Sequence, residues 1–135
     1  MHTKLGCEAY ITRNGQILLG KRGAAIFGGG TWALPGGHLE HMERADECLA
    51  REVSEEVGIT VTAANLKLLS VVDDIEPLVH YIHLTFTVDI GDQEPRLMEP
   101  DECDEWRWFP LDEMPENLFP PHKKIFATIA SGQIY

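Results

Sequence analysis

Residues 43 to 57 constrain this chain more than any other stretch. Ala45, Leu49, Val53 and Val57 recur at every fourth position, the spacing that lines one face of an α-helix. Gly58 follows, where a helix commonly closes on a left-handed residue. One amphipathic helix cannot bury its own apolar stripe, so the flanking segments must supply a surface for it. They read as strands. Residues 8–12 and 16–19 flank Asn14-Gly15, a strong hairpin signal. Residues 20–30 read as a loop, and the apolar 32–34 is stopped by Pro35-Gly36-Gly37. Residues 66–72, 80–88 and 106–109 predict further strands, and 123–130 predicts a closing helix. Several strands, a central helix, more strands and a last helix make an α+β pattern, with helices on a mixed sheet.

The length, 135 residues, predicts one domain over 1–135. Against 22 Asp and Glu stand 11 Lys and Arg, a formal net charge of −11. That balance argues against gripping a nucleic-acid polymer or an anionic membrane. It suits a protein that gathers cations. No apolar run reaches the ~20 residues of a membrane span, and residues 1–6 hold no secretory core. Cys7, Cys48 and Cys103 are odd in number and widely spaced, with no CxxC pair. A reducing, cytoplasmic setting is the expectation.

The chemistry concentrates on the helix. At 100° per residue, Glu52, Glu55 and Glu56 fall within an arc of about 100°. Like charges that close repel. An acidic cluster is ordinarily a solvated face, but Glu52 and Glu56 lie along the edge of the apolar stripe, not opposite it. Carboxylates beside a core need a partner. A hard divalent cation is the natural one, because Mg²⁺ prefers oxygen ligands and keeps waters that phosphate oxygens can replace. A glycine-rich turn just upstream makes a metal–phosphate site plausible from the residues alone.

The pattern Gly37, Glu43, then Arg51-Glu52-Val53-Ser54-Glu55-Glu56-Val57-Gly58-Ile59 resembles the complete signature of the Nudix hydrolases. With about 7% usage per residue type, a chance match of nine constrained positions is roughly one in ten million, so the match is specific. Further stretches (18–22, 34–40, 80–82, Glu99-Pro100 and 106–108) resemble the small MutT-like branch that hydrolyses nucleoside triphosphates. The resemblance runs from about Glu8 to the end. It implies an α/β/α sandwich around a mixed central β-sheet, in agreement with the element order.

The resemblance also implies roles. Glu52 and Glu56 would be the main Mg²⁺ ligands, with Mn²⁺ as a substitute. Glu55 would bind a second ion or act on water, and the Gly36 carbonyl would add a ligand. Arg51 would pair with Glu43 and hold the loop to the helix. The general base would be Glu55, Glu56 or a carboxylate of residues 101–105, with Glu55 slightly favoured. Arg22, Gly36, Gly37 and His38 would meet the substrate. The reaction implied is hydrolysis of a nucleoside triphosphate to monophosphate and pyrophosphate. Another small diphosphate (prenyl diphosphate, pterin triphosphate or nucleotide sugar) and a silent nucleotide sensor are the alternatives. The motifs of the ADP-ribose and dinucleoside polyphosphate branches are not seen. Relatives are often homodimers, which extends that expectation here.

Two positions depart from the usual box: Met42 where glycine is common, and Arg44 where Ser or Thr would cap the helix. Phe27, Trp32, Phe86 and Trp106 are candidates to stack a base. His38 and His41 lack further metal-type neighbours, and loop or substrate contact is the better reading. His80, on the strand face shared with Ile82 and Leu84, reads as a satisfied core histidine. Residues 89–116 carry 11 of the 22 acids. They read as a solvated loop, or as a second contribution to the metal site.

Overall fold

A computed structural model describes residues 2–135. Eight strands and two helices follow one another: β1 Thr3–Tyr10, β2 Thr12–Arg13, β3 Gln16–Arg22, β4 Trp32–Ala33, β5 Gly36–His38, α1 Ala45–Val57, β6 Leu66–Glu76, β7 Val79–Val88, β8 Cys103–Pro110 and α2 Pro120–Ala130. β1 begins before the predicted 8–12 because its first residues pair alongside β7 rather than through any local pattern. α2 begins earlier than 123 because Pro120 and Pro121 sit in its first turn, where a missing N–H costs nothing. At the β2–β3 turn, Asn14 and Gly15 both take positive φ (52° and 75°), the twist a tight hairpin needs.

One sheet has the order β5-β1-β7-β6. The β1–β7 pair is parallel and its neighbours are antiparallel, so the sheet is mixed. In the other, β3 pairs with β8 along its length and with β2 and β4 on its opposite edge. Alternation along β3 sends Leu18 into one core and Ile17 and Leu19 into another. The first core packs Leu49, Val53 and Val57 of α1 against Cys7 and Ala9 of β1. The second packs Ile125 of α2 against Trp32, Leu34 and Val72. The helices therefore cover opposite sides of the sheets, the expected α/β/α sandwich. No helix among the described residues is long and apolar enough to cross a membrane.

The unusual entry to α1 is compensated locally. The Arg44 N–H donates to Glu47 Oε1 at 2.9 Å, and Asp46 and Glu47 place acid in the positive first turn. Arg44 itself turns outward to Asp46 at 3.1 Å. Met42 adopts φ 65°, the conformation the commoner glycine would take freely, with its side chain exposed. Met42→Gly is therefore expected to stabilise the protein by about 1 kcal/mol, read as a rise in Tm. A fall in Tm would show that the strain is offset elsewhere. At the other end Gly58 takes φ 71° and donates to Ser54 O at 3.1 Å.

His80 corrects the sequence reading. It is half-buried at the start of β7 and hydrogen-bonds Thr3 Oγ1 at 3.0 Å through Nδ1. The satisfied core histidine is His83, because the face holding Tyr81, His83 and Thr85 turns toward the second sheet.

Candidate active site

A cleft of about 990 Å³ opens between the two sheets. Its acidic wall is built by α1 and β5. Glu52 and Glu56 are half-buried on α1, and the Glu55 side chain is 51% exposed. β5 runs so close beneath them that a side chain on Gly37 would strike the Glu52 carboxylate. One on Gly36 would strike the backbone of Cys7. The Gly36 N–H donates to Glu56 Oε1 at 2.9 Å, and Trp106 Nε1 donates to the Glu56 carbonyl at 3.2 Å. Burial pushes the Glu56 carboxyl well above the usual range, and the charges of Glu52, Glu99 and Glu102 add to it despite the Gly36 bond. Burial also raises Glu52, against the pull of Arg51. Glu99 and Glu102, from the predicted acidic loop, line the same cleft.

Arg51 ties this wall together. Its Nε and Nη2 grip both oxygens of Glu43 at 2.8 and 3.0 Å, a two-pronged pair. Its Nη1 reaches Glu52 at 2.7 Å and Glu55 at 3.4 Å, and Nη2 meets the His38 carbonyl at 3.3 Å. The hydrogen bonds from Arg51 hold the Glu43 carboxyl down at about 2.

The donor set suits a hard, hydrated cation: oxygen donors only, several carrying charge, and a glycine pair that lets backbone approach. No three His, Cys, Asp or Glu of the described residues are gathered into a ready-made cage. Mg²⁺ does not require one, since it keeps several waters and takes only one or two carboxylates.

Facing the acids, Arg22 Nε donates to the Phe27 carbonyl at 2.7 Å while its guanidinium lies 4.2 Å from the Phe119 ring centroid. His38 also lines the cleft and meets Tyr81 Oη at 3.3 Å. Of the site residues predicted from sequence, Glu52, Glu55, Glu56, Gly36, Gly37, His38 and Arg22 line the cleft, Arg22 across from the acids, while Arg51 and Glu43 buttress the acidic wall. Of the stacking candidates, Phe27 and Trp106 line the cleft. Trp32 is buried edge-on against Phe109, and Phe86 packs with the α1 core.

Sequence reasoning missed the opposite wall: Glu8, Asp74, Tyr81, His83, Phe119 and His122. Glu8 is buried and accepts from His83 Nδ1 at 2.7 Å, and His83 Nε2 reaches Asp74 at 3.4 Å. Lys124 joins Asp74 to Glu76 at 2.6 and 2.7 Å. Burial opposes charge on His83, yet Glu8 and Asp74 carry its pKa upward. Burial, with the His83 and Arg22 charges, takes His122 down to about 3, so it is neutral. A glutamate inside the otherwise apolar run 7–11 was the available signal.

A family model described as the NUDIX domain matches residues 5–129. Among curated relatives, an ADP-ribose pyrophosphatase of Methanocaldococcus jannaschii is 32% identical over 93% of this chain and 72% of its own length. The NAD-capped RNA hydrolase NudC of Pseudomonas putida is 33% identical over 78% of this chain, which spans only 36% of that protein. Among solved structures, a MutT NUDIX hydrolase from Burkholderia pseudomallei superposes with a TM-score of 0.82 at 36% identity, covering 94% of this chain and 96% of the other. A MutT protein from Methanosarcina mazei gives the same TM-score at 25% identity, covering 96% and 94%. Sandwich, glycine cradle and acidic helix together place the chain in the Nudix family. It is a Nudix hydrolase of the MutT-like kind, a family that generally works with a divalent metal.

Proposed function

We propose that the protein is a Mg²⁺-dependent nucleoside triphosphate pyrophosphohydrolase, releasing a nucleoside monophosphate and pyrophosphate. The observation that carries this reading is one cleft in which the glycine-cradled glutamates of α1 face Arg22. Acids alone would repel a polyphosphate. Acids that hold a cation, with a guanidinium opposite, can grip it from two sides.

Glu52, Glu56 and the Gly36 carbonyl would hold Mg²⁺, or Mn²⁺ in its place, with Glu55 placed to bind a second ion or to act on water. Bound there, the ion would neutralise phosphate charge and acidify a nearby water. The chain's own groups do the rest. The Gly36 N–H fixes Glu56, and Arg51 fixes Glu52 at 2.7 Å while holding Glu55 only by a longer contact of 3.4 Å. Glu55, the most exposed of the three, takes the proton as a water oxygen attacks phosphorus. The bridging P–O bond breaks, pyrophosphate leaves, and Arg22 balances the charge developing on the phosphoryl oxygens. The unpaired thiols Cys7, Cys48 and Cys103 suit a reducing, cytoplasmic setting.

A second reading has one specific support, the M. jannaschii relative named for ADP-ribose hydrolysis. A single panel separates the two: ordinary, deoxy and oxidised nucleoside triphosphates, ADP-ribose and a prenyl diphosphate, with Mg²⁺ in excess. The expected result is pyrophosphate release from a triphosphate with kcat/KM at least tenfold above every other class. It should be abolished by chelator and restored by Mg²⁺ or Mn²⁺. Preferential conversion of ADP-ribose to AMP and ribose 5-phosphate would replace the triphosphate reading. Turnover that survives exhaustive chelation would remove the metal from it.

A further inference from the structure

Six rings line the cleft in an unbroken series. Phe27 meets Phe119 edge-on, with centroids 5.9 Å apart, and Phe119 meets His122 at 5.0 Å and 88°. His122 stands edge-on to His83 at 6.2 Å, His83 stacks on Tyr81 at 5.5 Å and 7°, and Tyr81 tilts against His38 at 5.5 Å. Such a series favours a flat ligand.

Polar atoms interrupt that apolar wall. Glu8 Oε1 is taken by His83, but Glu8 Oε2 makes no hydrogen bond to the protein although the side chain is buried. Thr85 Oγ1 and Ser70 Oγ, which do not line the cleft, are equally unpartnered. All three lie in one register row, since Glu8 pairs with Thr85 across β1–β7 and Thr85 with Ser70 across β7–β6. His122 is fixed by the Leu34 N–H, which donates to its Nδ1 at 3.0 Å. A neutral imidazole accepting at Nδ1 carries its proton on Nε2. That Nε2–H stands 4.0 Å from Glu8 Oε1, too far for a hydrogen bond. Glu8 and His122 thus line one wall of the cleft, each with a polar atom, Oε2 and Nε2–H, that no protein group pairs, and a buried polar group is costly until it is paired.

The geometry points to Glu8 and His122 as the pair that reads the non-phosphate end of the substrate: a planar heterocyclic base with a hydrogen-bond donor beside an acceptor on its edge. The inference rests on the proposed hydrolysis for the placing of phosphate at the α1 wall. It selects a base over an isoprenoid tail, which would leave both groups unpaired at the cost that makes such sites selective.

Binding tests it without turnover. The full chain is titrated calorimetrically, with Mg²⁺ present, against the monophosphates of the four common nucleosides, an isoprenyl monophosphate and pyrophosphate. One nucleotide is expected to bind at least tenfold tighter than the isoprenyl ligand. Glu8→Gln, a near-isosteric change, should lower the ratio of nucleotide to pyrophosphate affinity at least fivefold and alter the ranking of bases. His122→Asn, which keeps an acceptor for Leu34 and deletes the outward N–H, should do the same. Isoprenyl binding equal to the best nucleotide, or a ratio within twofold of wild type in both variants, overturns the inference. Loss of triphosphate turnover with base preference intact would overturn the proposed function alone.

Discussion

Glu56→Gln is expected to reduce pyrophosphate release by about a thousandfold while raising the Tm of the metal-free protein. The two effects have one origin. Glu56 is partly buried beside Glu52, Glu99 and Glu102, and burial together with these charges makes its ionised form costly. Glutamine keeps the shape and can still accept the Gly36 N–H, but it carries no charge to repel its neighbours or to hold a cation. Loss of a group that acts on charge in the transition state typically costs 10²–10⁴ in rate. Steady-state kinetics at saturating Mg²⁺ with thermal denaturation in chelator reads both. Unchanged turnover would remove Glu56 from the proposed metal site. A lower Tm would show that its charge is matched by a partner other than the cation.

The second large effect separates two adjacent glycines. In Gly37→Ala the new methyl meets the far end of a side chain, the Glu52 carboxylate, which can swing aside. Swinging breaks the 2.7 Å bond to Arg51 and displaces a carboxylate proposed to hold the metal. Displacements near 1 Å can cost about 100-fold in rate, so activity should fall by that order with a stability loss of about 1 kcal/mol. In Gly36→Ala the methyl meets the carbonyl of Cys7 and the Cα of Glu8, backbone paired into the sheet that cannot yield. A loss of about 3 kcal/mol or more is expected, felt as poor folding rather than as a kinetic defect. Equal Tm losses in the two variants would contradict the distinction.

Half of the cleft was legible in the sequence and half was not, for a reason of distance along the chain. The acidic wall spans residues 36–56, where helical period, glycine pair and glutamate spacing are local patterns that sequence displays directly. Arg51 and Glu43 are eight residues apart, and their pairing could be expected. The ring-lined wall joins Glu8 to His83 across 75 residues and Lys124 to Asp74 across 50. No local periodicity encodes such contacts. His80 shows the limit: alternation sorted β7 into two faces correctly but could not tell which polar face would be covered by the second sheet.

The parallel pairing of β1 with β7 sets an order of assembly during synthesis. Thr3 has no sheet partner until His80 exists. α1 is translated earlier, with its glutamates, but it lacks Val88 and Ile90 of the core it will share. A nascent chain stalled after residue 70 would thus hold the acidic helix and the glycine cradle with no second wall. It should be protease-sensitive and unable to retain a nucleotide. Contacts so far apart in sequence slow folding, because loop closure must come before they form. On this view the acids of α1 emerge first as an exposed, self-repelling strip. Divalent ions in the folding medium should then speed the last step by quieting that repulsion.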